Sequence, residues 1–216
     1  MSDSRKGHKE PKVKNALTAL RQNGFNVLYV PSEESALTAV LDMVPPGDLV
    51  GLGGSVTLRE MGLPEVLRER GNRVADHWEA RLRNASPQEI MDIRRLHLNS
   101  DVFITSTNAV TETGEMVNID GSGQRVAAMI FGPKKVIVIA GVNKIVKDID
   151  EGLWRARNVA APMNAKRLHR ETPCTVTDAC SDCDSAERIC NVTALIHRRP
   201  RNTDITIILV GEKLGY

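Results

Sequence analysis

The stretch L-V-G-L-G-G-S-V-T-L at residues 49–58 decides the fold class of this chain, because it runs from a short apolar segment through a glycine turn into a helical pattern. Short apolar segments bounded by turn residues are typical of strands that are buried on both faces. A strand followed directly by a helix is the repeating unit of a parallel sheet. We therefore expect an α/β protein in which this turn lies at the carboxyl end of a strand.

The same alternation of short apolar runs and helical patterns continues along the chain. Helical spacing of apolar residues precedes Gly24, and Ser32 is placed to cap a second helix that ends before Pro45. Besides the run at 48–53, the predicted strands are Phe25–Val30, Asn72–Ala75, Asp101–Thr105, Lys134–Gly141 and Ile205–Gly211. This order predicts a doubly wound, mainly parallel sheet.

Composition limits the classes of partner. The 216 residues carry a formal net charge of +2 and only 3% are aromatic, so we expect no nucleic-acid partner. The apolar runs are far shorter than the roughly 20 residues that cross a bilayer, so no membrane span is expected. Residues 1–10 are polar and are expected to form a flexible N-terminus without a secretion signal, which favours a cytoplasmic location. Residues 11–216 fit a single domain.

The glycine turn is a candidate anion site. Its backbone N–H groups and two hydroxyls can point at an anion, so the candidate binding residues here are Gly53, Gly54, Ser55 and Thr57. The spacing matches neither the dinucleotide-binding glycine motif nor the phosphate-binding loop with its lysine, and no NAD, FAD or ATP site is predicted. The alternative is a tight turn in which Ser55 only caps the following helix.

A polar segment at 106–123 interrupts the alternation and is predicted to form a β-hairpin or a long loop around Thr113-Gly114. It follows a predicted strand end, where parallel sheets bind ligands. Its acidic side chains can serve as general base or nucleophile, and its amide side chains can orient a ligand. The alternative is that the segment is a solvated turn without a function. The candidate catalytic residues are Glu112, Glu115 and Asp120, and the candidate binding residues are Asn108, Asn118 and, after the strand at 136–140, Lys144.

All four cysteines lie in one run, P-C-T-V-T-D-A-C-S-D-C-D-S-A-E-R-I-C-N at 173–191. Four thiolates are enough for a tetrahedral zinc ion or for an iron–sulfur cluster, so Cys174, Cys180, Cys183 and Cys190 are candidate metal ligands. Only the central pair has the usual chelating spacing. The alternative is a set of reduced thiols or a reversible disulfide in a Cys-rich C-terminal appendage at 170–191.

Several ordered motifs resemble the LUD domain of lactate-utilization proteins. They are G-L-G-G-S-V-T-L at 51–58, S-T-N-A-V-T-E-T-G-E-M-V-N-I-D-G-S-G-Q-R-V-A at 106–127, and the segment 132–168, which begins G-P-K-K-V-I-V-I-A-G-V-N-K. The cysteine run resembles a tail found in a subgroup of that family. The resemblance implies a fold similar to that of NagB, ribose-5-phosphate isomerase and CoA transferases, in which a strand-end turn holds an anion and an acid in the middle of the chain carries the chemistry.

The resemblance also implies a function. It predicts a subunit of a system that oxidises L-lactate to pyruvate, with a small carboxylate or related anion as ligand and with partner subunits that carry iron–sulfur clusters. Two other functions stay open. One is a non-catalytic module that senses a metabolite or the redox state, and the other is an enzyme similar to a CoA transferase or a sugar-phosphate isomerase. The sequence leaves open whether the chain is itself an enzyme and whether it forms a homo-oligomer.

Overall fold

Six parallel strands form the main sheet of the protein, whose computed structural model describes residues 9–216. Of the predicted flexible N-terminus, residues 1–8 lie outside the described residues, and residues 9 and 10 begin the first helix. The strands along the chain are β1 Asn26–Val30, β2 Leu49–Leu52, β3 Arg73–Ala75, β4 Val102–Thr105, β5 Ala109–Thr111, β6 Met116–Asp120, β7 Lys135–Gly141, β8 Ile145–Val146, β9 Val192–Ile196 and β10 Asp204–Val210.

Helices occupy most of the connections between these strands. They are α1 Lys9–Gln22, α2 Glu33–Met43, α3 Val56–Glu60, α4 Leu63–Glu69, α5 His77–Leu82, α6 Pro87–Leu96, α7 Gln124–Ile130, α8 Ile149–Arg155, α9 Ala161–Arg167 and α10 Cys174–Thr177. A π-helical turn, Ala156–Ala160, joins α8 to α9, and short 3-10 turns lie at His97–Asn99 and Val142–Lys144. The helix capped by Ser32 is α2, because the Ser32 hydroxyl accepts a hydrogen bond from the Ser35 N–H.

The main sheet has the strand order β1-β10-β7-β4-β2-β3, and every pair in it is parallel. All six predicted strands belong to this sheet. Alternate residues of β7 enter two different cores: Ile137 and Ile139 pack on the side of α2 and α4, and Val136 and Val138 pack on the side of α1 and α7. The predicted α/β class with a mainly parallel sheet is therefore confirmed, and helices cover both faces.

A second sheet, with the order β8-β5-β6-β9, packs beside the main one. The predicted hairpin at 106–123 is confirmed, because β5 and β6 pair antiparallel with Ala109 opposite Val117. One face of this sheet shares a core with α1, and the other face packs Val117 against Ala156. Two of its strands had no sequence signal, since β8 has only two residues and β9 is largely exposed.

The cysteine run connects α9 to β9 and is therefore continuous with the second sheet. Apart from α10, it has no regular secondary structure. Its end is fastened to the hairpin, since the N–H of Asn191 donates to the carbonyl of Asp120 at 3.1 Å and its side chain donates to the carbonyl of Gly121. The run is thus fixed at its end beside the strand that carries Asp120, and in its middle by the Cys180 N–H, which donates to Asn158 Oδ1 of the π turn at 3.2 Å.

The π turn changes which residues of the long helical segment are buried. The sequence spacing predicts Ile149, Leu153, Ala156, Ala160 and Met163 on one side, but Met163 is exposed. A π turn adds a residue to one helical turn and so rotates everything that follows. Pro162 and Ala165 are buried in α9 instead.

Across residues 9–216, the helices are all too short or too polar to traverse a lipid bilayer.

We expect Ile137→Ala to lower the free energy of unfolding by about 2–5 kcal/mol, because Ile137 is fully buried in β7 and its truncation leaves a cavity. Urea unfolding of the two proteins measures the difference. The control is Leu82→Ala, since Leu82 is 84% exposed and its truncation should change stability by no more than about 0.5 kcal/mol. Equal effects of the two substitutions would contradict the central position of β7.

Candidate anion-binding site

The candidate site lies at the carboxyl edge of the main sheet, where β2, β4 and β7 end side by side. After β2 the chain adds β3 on one side of the sheet, and after β4 it adds β7 and then β10 on the opposite side. The direction of winding therefore reverses between β2 and β4. Crevices at such switch points are the usual ligand sites of open α/β sheets. The glycine turn follows β2, Ser106 follows β4 and Lys144 follows β7, so these segments converge in one crevice.

A cavity of about 90 Å³, here called the lysine pocket, opens in this crevice. The main sheet contributes the strand-end residues, and the π turn closes the other side with Ala156 and Ala160. The polar residues of the lining are Ser55, Thr57, Ser106, Thr107, Asn108, Arg125, Lys144, Asn164 and Tyr216. The pocket is therefore small and mainly polar.

Lys144 is the central charge of the lysine pocket. Its side chain is only 3% exposed, and its Nζ donates to Thr57 Oγ1 at 3.0 Å and to Ser106 Oγ at 2.8 Å. Burial lowers the pKa of Lys144 to about 7, and the charges of Arg155 and Arg125 act in the same direction. The charge of Glu60 opposes this shift, but within residues 9–216 Lys144 forms no ion pair, so no carboxylate contacts the ammonium when Lys144 is protonated.

Arg125 is the second cation at the pocket and is held rigidly. Its guanidinium donates to the carbonyl of Ser106 at 3.0 Å, to Asn118 Oδ1 at 2.6 Å and to the carbonyl of Ile119 at 2.9 Å. Its Nε lies 3.5 Å from Asp120 Oδ2. Burial lowers the pKa of Arg125, and Asp120 opposes that shift. Because arginine keeps its proton at all ordinary pH values, Arg125 is a fixed positive charge.

The glycine turn allows a close approach of chain segments. A Cβ on Gly53 would lie 2.5 Å from Thr105 Oγ1, and one on Gly54 would lie 2.6 Å from Trp78 Nε1, so any larger residue would force these neighbours apart. Ser55 takes the N-cap position of α3, but its side chain accepts no capping hydrogen bond and it lines the pocket. The hydroxyl of Ser55 thus stays available to a ligand.

The fold places five of the seven predicted binding residues in the lining of the lysine pocket and two outside it. Gly54, Ser55, Thr57, Asn108 and Lys144 line the lysine pocket. Gly53 lies behind the turn, against β4. Asn118 is fully buried and holds Arg125 by its side-chain oxygen, so its contact with the pocket is indirect.

The predicted catalytic acids lie in two different places. Glu112 and Glu115 lie at the turn of the β5–β6 hairpin, where Glu112 accepts from Asn15 Nδ2 at 2.8 Å and Glu115 accepts from Thr113 Oγ1 at 2.6 Å. Neither lines the lysine pocket. Asp120 contacts Arg125 and accepts from the N–H of Gly123 at 2.8 Å, so it lies beside the site. A catalytic role for these acids stays a prediction.

Several polar residues of the site were not selected from the sequence. Ser106, Thr107, Arg125, Asn164 and Tyr216 line the pocket, and Arg155 lies beside it, where its guanidinium donates to the carbonyls of Asn143 and Asn108. Ser106 follows a strand end directly, and this position alone is a usable signal. Arg125 precedes the apolar run Val126–Ile130, and Arg155 follows Leu153 and Trp154; a basic residue next to apolar ones is a weaker signal for a buried cation. Tyr216 lies in no motif, and only the tertiary structure places it against the pocket.

The four cysteines line one small cavity, here called the cysteine cavity, together with Arg157, Ala161, Ser181, Asp182 and Arg188. Two of the sulfurs have polar neighbours: the N–H of Asp182 donates to Cys180 Sγ at 3.4 Å, and Thr172 Oγ1 lies 3.3 Å from Cys174 Sγ. Ala161 lines both this cavity and the lysine pocket, so the two are adjacent. Among the described residues, no three His, Cys, Asp or Glu side chains are grouped closely enough to hold a single metal ion.

The fold and the site define an α/β protein with a cationic crevice at the switch point of a parallel sheet. A family model for the LUD domain matches residues 13–210, and the chain belongs to this family. The fold is similar to that of a DUF162 family protein from Deinococcus radiodurans, which is 12% identical with a TM-score of 0.54 over 94% of this chain and 98% of that one.

A second solved structure, ribose 5-phosphate isomerase A from Methanocaldococcus jannaschii, is 19% identical with a TM-score of 0.37 over 55% of this chain and 56% of that one. No curated protein matches this chain.

The pKa of Lys144 makes the stability of the protein depend on pH. Between about pH 7 and pH 10, the unfolded chain binds a proton on this lysine and the folded protein does not, so the free energy of unfolding should rise with pH by up to about 1.4 kcal/mol per unit. The variant Lys144→Met lacks this rise. Urea unfolding at several pH values compares the two proteins.

The control for this experiment is Lys147→Met, since the Lys147 side chain is 80% exposed. Its stability should follow the pH dependence of the unsubstituted protein. A parallel pH dependence in the Lys144→Met variant would show that Lys144 titrates near its ordinary pKa.

Proposed function

We propose that this LUD-domain protein is a subunit of a system that oxidises L-lactate to pyruvate, and that the lysine pocket binds the carboxylate of this substrate or a closely related small anion. The lactate assignment rests on the family, which is related to lactate-utilization proteins. The observation that carries the binding assignment is the buried ammonium of Lys144, which contacts two hydroxyls and has no carboxylate partner in the described chain. A bound carboxylate would supply the missing charge.

The size and the donors of the pocket support a small ligand. A cavity of about 90 Å³ suits a molecule of a few heavy atoms. Lys144 supplies the charge, and the Ser55 hydroxyl supplies a further donor beside it. With a pKa of about 7, Lys144 binds an anion as the ammonium, and as the free amine it can accept the proton of a substrate hydroxyl. Asp120 holds Arg125 in place in this proposal.

Oxidation of lactate to pyruvate removes two electrons and two protons, so the system needs an electron acceptor. We propose a metal centre at the cysteine cavity, with Cys174, Cys180, Cys183 and Cys190 as ligands. In the described structure no three of these side chains are grouped closely enough to hold one ion, so the run would have to rearrange around the metal. The support is that all four thiols line one cavity and that two sulfurs already have polar neighbours of the kind that tune cluster potentials. Arg157 and Arg188 line the same cavity and would offset the charge of four thiolates.

An iron–sulfur cluster there would accept and pass on single electrons, and partner subunits with further clusters would complete the path. A zinc ion is the alternative occupant and would make the segment structural. The proposal assigns no step to Glu112 or Glu115, whose side chains contact the hairpin and α1.

The binding proposal predicts that L-lactate and pyruvate bind more tightly below pH 7 than at about pH 8.5, because the lysine pocket loses its ammonium as the pH rises through the pKa of Lys144. Lys144→Met should weaken binding about tenfold or more at the lower pH, since a charge-assisted hydrogen bond is lost. Isothermal titration calorimetry measures both effects, with Lys147→Met as the matched control.

D-lactate and inorganic phosphate serve as competing ligands in the same titrations. Preference for L-lactate over both supports the lactate assignment. Equal affinity for all three anions would show that the pocket is a general anion site and would contradict the lactate assignment. An affinity that changes neither with pH nor in Lys144→Met would show that Lys144 does not contact the ligand.

The metal proposal predicts iron and acid-labile sulfide in protein purified without oxygen, together with visible absorption. Both should disappear in the Cys180→Ser/Cys183→Ser double variant, because this pair has the chelating spacing. The control is Ser181→Ala, which changes the same loop without removing a thiol. Zinc without iron would contradict the redox role, and protein without metal would contradict the centre altogether.

A further inference from the structure

A second cavity, here called the arginine cleft, opens beside the lysine pocket and has a volume of about 500 Å³. The two cavities are continuous, because both are lined by Gly54, Ile119, Arg125, Asn164 and Ile189. Six arginines line the cleft. They are Arg81, Arg94, Arg125, Arg167, Arg170 and Arg188.

Carboxylates do not balance this charge. Asp120 and Glu187 are the two acids in the lining, and they pair with Arg125 and Arg170, respectively. Arg81, Arg94 and Arg167 form no ion pair with any carboxylate in residues 9–216. Burial lowers the pKa of Arg94, the neighbouring charge of Arg81 lowers it further, and Asp120 opposes the shift without reversing it. The cleft therefore holds repelling cations that an anion would stabilise.

Unused hydrogen-bonding groups support the same conclusion. The Nε atoms of Arg94, Arg170 and Arg188 are buried and have no hydrogen-bond partner in the described chain. Buried donors without partners are uncommon in folded proteins, because each has lost its contact with water. A phosphate oxygen is the acceptor that matches a guanidinium fork.

An aromatic side chain completes the lining. Trp78 lines the cleft, and the guanidinium of Arg167 lies 4.1 Å from its ring centre. The buried His77 beside it adds no charge, because burial above all, with His97, Arg94 and Arg81 assisting, lowers its pKa to about 3. The cleft thus combines guanidinium donors with an aromatic ring, in a volume several times that of the lysine pocket.

We propose that the arginine cleft binds a diphosphate group, free or as part of a nucleotide, next to the ligand of the lysine pocket. Arg94 and Arg167 contact the phosphates, and Arg125 lies between the two cavities. This site stands independently of the lactate assignment, since it uses different side chains from Lys144 and its hydroxyl partners.

Calorimetric titration of the full chain with inorganic pyrophosphate and with ADP tests the proposal. Each single variant, Arg94→Gln and Arg167→Gln, should weaken binding of the tighter probe about tenfold or more, because each removes a charge-assisted contact. The control is Arg201→Gln, which removes the same charge from an exposed turn and should leave affinity within about twofold. Urea unfolding checks that the variants stay folded.

Comparison of the probes identifies the source of the phosphate, because tighter binding of ADP indicates a nucleotide and tighter binding of pyrophosphate indicates the free group. The Lys144→Met variant should bind the tighter probe with unchanged affinity. The titrations therefore test the arginine cleft separately from the proposed ligand of the lysine pocket. Absence of binding by both probes would overturn the proposal. An equal loss in Arg94→Gln, Arg167→Gln and Arg201→Gln would also overturn it, since the effect would then reflect net charge alone.

Discussion

The burial of the main sheet on both faces is the constraint on which the other features depend. The central strands β4 and β7 send alternate side chains into two separate cores, and they run parallel with β2 between helices on both faces. Their carboxyl ends therefore emerge along one edge. The polar residues that follow each strand cannot enter either core, and at this edge they gather in a crevice instead. The position of the candidate site is thus a consequence of how the apolar residues are buried.

This crevice concentrates positive charge at a cost to stability. Lys144, Arg125 and Arg155 are all less than a tenth exposed, and burial lowers the pKa of each of them. Hydroxyls and carbonyls satisfy many of their hydrogen bonds, but Asp120 is the only carboxylate in the described chain that pairs with any of the three. An anion bound in the crevice would offset this cost, which is the physical basis of the proposed ligand.

Three cavities with different linings share walls around this edge. Arg125 and Ile189 lie between the lysine pocket and the arginine cleft, Ala161 lies between the lysine pocket and the cysteine cavity, and Arg188 lines both the cleft and the cysteine cavity. The cysteine run reaches this position because it is continuous with β9 and fastened to the strand that ends at Asp120. The thiols and the cations therefore lie within one continuous region of the protein.

The sequence by itself determined the six strands of the main sheet, the hairpin, the glycine turn and the grouping of the cysteines. Each of these follows from local patterns: short apolar runs, turn residues and close spacing along the chain. Only the tertiary structure decided that Lys144 contacts Thr57, that six arginines converge in one cleft, and that Glu112 and Glu115 lie away from the pocket. Strand order and the burial of charge arise from contacts between segments far apart in sequence, so local sequence patterns do not predict them.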